Sequence, residues 1–152
     1  MDDLQVLSSL LSHQVEIYTQ LLRLENEKTF ILLEGKAQEL DKYLIEEQPL
    51  IMQSTNLEHE RLALQKKMGI EAFTLKQIIN EFAANNEFDL TKHYDELAGL
   101  LKKIETANNL NTRLINSRLK TRQILLWGND ANHNQITPNF CLTHNTRPKL
   151  FQ

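Results

Sequence analysis

A single cysteine, Cys141, is all the thiol this chain of 152 residues carries. It closes no disulfide within the chain and builds no Cys-x-x-Cys metal clamp. Glycine is equally scarce. Gly35, Gly69, Gly99 and Gly128 lie too far apart to form a phosphate-cradling loop. No apolar run approaches the ~20 residues that cross a bilayer, so no stable membrane insertion is expected. The opening Met1-Asp2-Asp3 is acidic, unlike the basic start of a secretory signal, and a cytoplasmic protein is expected. None of the five histidines follows a glutamate at a spacing of three, which removes the Glu-x-x-His pairs of a di-iron bundle. Cys141 with His133 and His144 sits in a polar segment with no scaffold to fix a nucleophile against a base. No catalytic residue, cofactor or metal is therefore expected, and the chain reads as a non-enzyme. The net charge of −3 speaks against a dedicated nucleic-acid module. The basic stretch 113–122 has four cationic side chains and no interleaved aromatics, so nucleic acid is not an expected partner.

What remains is a set of helical stripes. Leu10, Ile17, Leu24 and Ile31 recur every seven residues. Leu7, Leu11, Tyr18, Leu21 and Leu32 widen the same stripe, the mark of an amphipathic bundle helix. Asp2 and Gln5 have the spacing of a capping pair at its start, and Gly35 supplies the stop. Some thirty residues at 1.5 Å each make a rod of roughly 50 Å. A second helix is expected from about Ala37 to Met68, with Tyr43, Leu50, Leu57 and Leu64 again seven apart. Pro49 falls inside it, and because the phase survives across the proline, a kinked helix is favoured over two separate ones. Gly69 ends it. A short third helix is marked by a capping box of Thr74 with Gln77 and a staple of Phe73 with Ile78, and should end in Ala83-Ala84-Asn85-Asn86. The last long helix should run from about 89 to 127, striped first by Leu90, Tyr94, Leu97, Leu101 and Ile104.

Within that helix Asn108-Asn109-Leu110-Asn111-Thr112-Arg113-Leu114-Ile115-Asn116 packs four asparagines into nine residues. Asparagine is a mediocre helix former, and exposed bundle positions favour Ala, Glu or Lys. The stripe beyond it reads as Leu110, Leu114, Ser117, Thr121 and Ile124, with hydroxyls at two of its positions. Such a weak stripe suggests a surface completed by another protein. From Asn129 to Gln152 no period is visible, and this polar segment is expected to lack fixed structure when isolated. The expected fold is all-α: an elongated antiparallel helical bundle, or coiled-coil hairpin, with long helices 1, 2 and 4, a short helix 3, a domain at 1–128 and a tail at 129–152.

Charge is segregated along the chain. Residues 1–34 hold six acids against two bases, net −4, and residues 106–152 hold six bases against one acid, net +5. The acidic and basic helices are expected to lie side by side, the alternative being that the basic end steers an acidic partner. The cluster Glu58-His59-Glu60-Arg61 reads as a solvated helix face.

Two segments carry a resemblance. One is the turn Leu32-Leu33-Glu34-Gly35-Lys36 between long helices, followed by Glu58-His59-Glu60-Arg61-Leu62-Ala63-Leu64 and the Met68-Gly69 stop. The other is the asparagine-containing Asn108 to Ile115. In these the chain resembles the FlgN family of flagellar type III export chaperones, from about Leu4 to Trp127. The resemblance implies a cytoplasmic, non-enzymatic chaperone. It would bind the C-terminal helices of hook–filament junction (hook-associated) proteins, prevent their premature polymerisation and deliver them to the export gate. It also implies that the C-terminal helix holds the substrate. Leu110, Leu114, Ile115, Leu119, Ile124 and Leu125 would then bury the partner helix, with Arg113, Arg118 and Arg122 setting its register. Phe140, and after it Trp127, are the candidates for the family's aromatic gate contact, although the Tyr-Gly pair common there is absent at Phe140. The competing reading is a structural coiled-coil adaptor, a homodimer driven by Leu10, Ile17, Leu24 and Ile31.

Overall fold

The computed structural model describes residues 2–82 and 90–127, with side chains described as far as residue 120. The expected tail at 129–152, with Phe140, and the expected end of the third helix at 83–86 lie outside the described residues. Among the described residues four α-helices carry the fold: α1 (Asp3–Glu34), α2 (Leu40–Lys67), α3 (Leu75–Phe82) and α4 (Leu90–Trp127). The expected all-α bundle of three long helices and one short one is what the chain forms.

Local chemistry sets the ends. The Asp2 carboxylate accepts from the Leu4 amide at 3.4 Å and caps α1. Gly35 stops it in the left-handed conformation, φ 83°, while Lys36 N–H donates to the Ile31 carbonyl at 3.0 Å, the Schellman closure. A short 3-10 turn, Ala37–Glu39, leads into α2. Pro49 sits inside a single continuous α2. Pro49 and Ile45 are both exposed, so the Ile45 carbonyl that loses its amide partner lies on the solvent side of α2. At α3 the capping box forms reciprocally: Gln77 N–H donates to Thr74 Oγ1 at 3.2 Å, and Thr74 N–H to Gln77 Oε1 at 2.8 Å. Gln65 fastens the link before it by donating to the Phe73 carbonyl at 3.0 Å.

Cross-helix bonds give the directions. Lys67 pairs with Asp3 at 2.7 Å, and Ser54 donates to the Tyr18 hydroxyl at 2.8 Å, so α2 runs antiparallel to α1. Asn111 bonds Glu25, and Arg118 bonds the Leu32 carbonyl, so α4 runs parallel to α1 and antiparallel to α2. The acidic α1 and the basic α4 do lie side by side. Helix α1 packs along both other long helices, which make little contact with each other. The main core gathers Leu7, Leu11, Leu21, Leu24, Ile78, Leu97 and their neighbours; a smaller one holds Ile31, Leu32, Leu40 and Ile115. The Leu10, Ile17, Leu24 and Ile31 stripe is at most 8% exposed. Those side chains are committed to the chain's own core and offer no free face for the adaptor dimer.

Candidate partner-binding surface

The asparagine segment is where structure and sequence reading part. Asn111 is 1% exposed and Asn108 8%. Neither stands at a surface position. The stripe of α4 does not shift phase after Ile104. It continues through Asn108, Asn111 and Ile115, so that Leu90, Leu97, Ile104, Asn111 and Arg118 are seven apart and all face inward to some degree. The expected stripe of Leu110, Leu114 and Ser117 lies to one side: Leu110 is 37% exposed, Leu114 half-buried and Ser117 exposed. An asparagine at a core heptad position is stable only with partners, and Asn111 has them. Its Nδ2 donates to the Glu25 carbonyl and to Glu25 Oε2, both at 2.9 Å. The Thr29 hydroxyl lies 2.5 Å from its Oδ1.

Glu25 belongs to a buried charge cluster. Lys28 Nζ meets Glu25 Oε1 at 2.6 Å and Glu47 Oε1 at 2.9 Å, with all three side chains almost wholly enclosed. Burial alone would lower the lysine, but the two carboxylates together hold its pKa above the ordinary value. Burial pushes the Glu47 carboxyl up to about 8, its hydrogen bond with Glu25 adds to this, and Lys28 opposes both. The enclosure therefore favours the protonated form of Glu47 at neutral pH.

Two more polar layers follow toward the N-terminus of α1. Tyr18 meets Ser54, and burial pushes its phenol up to about 12. Beyond it Arg61, 2% exposed, grips Glu58 through Nη2 at 2.6 Å and Nε at 3.2 Å, and donates to Gln65. Gln14 of α1 reaches the same Glu58 at 3.4 Å. The Glu58-His59-Glu60-Arg61 cluster is thus no solvated face: Glu58 and Arg61 turn inward, and only His59 and Glu60 stay exposed. Leu40, Glu47, Ser54 and Arg61 are seven apart on α2, and each polar member meets a partner on α1 or on its own next turn. Lys28 with Glu47, Tyr18 with Ser54 and Gln14 with Glu58 each bridge α1 and α2, and all three agree on one register.

The expected partner-binding side chains scatter across this geometry. Arg113 is exposed, and Leu110 is partly so. Leu114 and Leu119 are half-buried against the smaller core, and Ile115, 7% exposed, belongs to that core. Arg118 donates to the Leu32 carbonyl and lies over Gly35, its guanidinium at the negative end of α1. The side chains of Arg122, Ile124, Leu125 and Trp127 are outside the described residues, although the α4 backbone there is helical. Since α1 ends at Glu34, opposite Lys120 by the register of Arg118 with Leu32, the last turns of α4 run past its end.

Among the described residues no helix is long and apolar enough to cross a membrane, and no cluster of three potential metal ligands occurs. Apolar side chains stay on the surface instead: Phe30 at 62% and Leu33 at 65% exposure on α1, Ile45 at 73% and Met52 at 67% on α2. Open grooves flank the outer face of α1. Among the described residues these exposed side chains and grooves are contact surfaces open to another chain.

A family model described as FlgN protein matches residues 1–137. No curated protein and no solved structure matches the chain.

Proposed function

The chain belongs to the FlgN family of flagellar export chaperones, and from that premise we propose that its cargo is the C-terminal helical segment of hook–filament junction (hook-associated) proteins. The single observation that carries this is the family match, which covers every described element. Junction subunits polymerise through terminal helices with apolar faces, and such helices aggregate when left bare. A chaperone that lays them into a groove between its own helices keeps them monomeric until the export gate takes them, the helix-in-groove mode of recognition. A reaction of this kind needs no catalytic group and takes place in the cytoplasm.

The later half of α4 remains the proposed cargo helix. Leu110 and Arg113 present themselves to solvent, and Leu114 and Leu119 stand at the rim of the smaller core. Arg122, Ile124 and Leu125 lie on the part of α4 that outruns α1. Ile115 and Arg118 contribute indirectly, by holding α4 on α1. Trp127 and Phe140 are proposed for the gate contact. Calorimetric titration of the chain with the C-terminal segments of junction subunits from the same genome tests the assignment. Saturable one-to-one binding, weakened by Leu110→Glu with Arg113→Glu, supports it. Absence of binding to every junction segment overturns it.

A further inference from the structure

One stripe of α1 lies at the margin of its packing on α2 and α4: Val15 and Leu22 are partly buried against the main core, while Asn26, Phe30 and Leu33 are exposed. Val15, Leu22, Asn26, Phe30 and Leu33 follow one another at steps of seven, four, four and three, the spacing of a single helix stripe. Over 18 steps of 1.5 Å this stripe runs roughly 27 Å, or five turns. Phe30 and Leu33 keep 62% and 65% of their surface. On one side Leu110 of α4 stands next to Leu22 and Asn26 in an open groove of about 640 Å³. On the other side Tyr43 of α2 and Phe30 line a second groove, of about 530 Å³, which shares Leu22 and Asn26 with the first. Leu22 and Asn26 thus floor two adjoining grooves walled by α2 and α4, with Phe30 in the one on the α2 side and Leu33 exposed one turn further on.

We infer that this face of α1 docks an amphipathic helix whose acidic flank lies along α4. The charges of the two walls select that partner. The α4 wall contributes Lys102 and Lys103, and no acidic side chain lines that groove. On the α2 side the one cation of the lining, Arg23, is already answered by Glu27 at 2.9 Å and Glu46 at 3.7 Å. A docked helix therefore places its apolar knobs over Phe30, Leu33 and Leu110 and its carboxylates against the two lysines. The chain's own segment 129–152, with Arg147 and Lys149 against Asp130, has the wrong sign for this wall. The inference rests on the reading of the chain as a carrier of helical cargo, and adds to it the α1 face that adjoins Leu110 of α4 and a charge rule for the cargo.

Two synthetic amphipathic peptides with the same leucine spacing, one flanked by glutamates and one by lysines, test it beside the junction segments. The wild-type chain should bind the glutamate-flanked peptide and leave the lysine-flanked one. Phe30→Ser with Leu33→Ser should weaken that binding roughly tenfold or more, and because both side chains are exposed the double variant should melt like the wild type. Lys102→Glu with Lys103→Glu should reverse the preference between the peptides. Unchanged affinity in both variants overturns the inference, as does a wild-type preference for the lysine-flanked peptide. A concentration-dependent mass that the Phe30 and Leu33 changes abolish, with peptide binding intact, assigns the face to a second copy and also overturns it. Junction segments separate this inference from the function. If they bind the wild type and the Phe30/Leu33 variant equally, the groove assignment fails and the cargo assignment stands. If they bind neither while the acidic peptide binds through the stripe, the cargo assignment fails and the groove stands.

Discussion

Lys28 of α1 reaches Glu47 of α2 across the core, Nζ to Oε1 at 2.9 Å, with 1% and 2% of their side chains exposed. The same ammonium holds Glu25, and Glu25 holds Asn111 of α4. One enclosed cluster therefore touches all three long helices. Its lone pairs and protons are nearly all answered, which is the condition for burying charge at a tolerable cost.

The proton on Glu47 makes this cluster sensitive to pH. The folded chain keeps that proton up to about pH 8, whereas an unfolded glutamate releases it near 4.5. Between those values the folded state binds more protons than the unfolded one, so this group's contribution to stability falls as pH rises. The slope is at most about 1.4 kcal/mol per pH unit. Glu47→Gln, which mimics the protonated form, should remove it. Urea melts at pH 5, 7 and 9 should show wild type losing ground to the variant as pH rises. Parallel pH profiles would contradict the assignment.

Removing one member of the cluster should cost far more than removing all of it. Lys28→Met leaves two buried carboxylates facing each other and should destabilise the chain by about 3–5 kcal/mol. Replacing Glu25, Lys28, Glu47 and Asn111 together by Leu, Met, Leu and Leu should give a protein close to wild-type stability. Chemical denaturation of the two variants side by side checks this.

The two buried asparagines should respond oppositely to leucine. Asn111→Leu takes away the Nδ2 donor that serves Glu25 Oε2 and the Glu25 carbonyl, and should cost about 1–3 kcal/mol. The Nδ2 of Asn108 has no acceptor among the described residues. Asn108→Leu should therefore be neutral or gain up to about 1 kcal/mol. Thermal melts that rank the two variants the other way would refute this account of α4.

Gly35 is held at φ 83°, and a Cβ built there meets only the Arg118 guanidinium, at 3.7 Å. Space is available, so the penalty of Gly35→Ala is backbone strain alone. It should be about 1–2 kcal/mol, read as a lower melting temperature with an unchanged helical spectrum.

Leu114 and Phe30 differ in what a carboxylate would do to the free chain. Leu114 packs half-buried on the smaller core, so Leu114→Glu should destabilise the protein by about 1–3 kcal/mol before any partner is added. Phe30→Glu, at an exposed position, should stay within about 0.5 kcal/mol of wild type. Loss of cargo binding by a Leu114 variant thus needs its urea melt beside it; a Phe30 variant gives the cleaner reading.

The sequence by itself determined what depends on near neighbours and on counting. The 10, 17, 24, 31 stripe, the Gly35 stop and the Thr74–Gln77 box all emerged as read, because a cap or an apolar period is decided within one or two turns of the same helix. The uninterrupted α2 followed from the phase on either side of Pro49. Tertiary structure decided the polar core. Asn111 and Arg61 look like surface residues to any local rule, since burial of a lone amide or guanidinium is costly. They are buried because Glu25, 86 residues away, and Glu58, steadied by Gln14 of another helix, complete their bonds. Counting sevens from Leu90 through Ile104 does land on Asn111, so a signal was present. Only the partner across the helix interface turns that position from a break in the stripe into a part of the core.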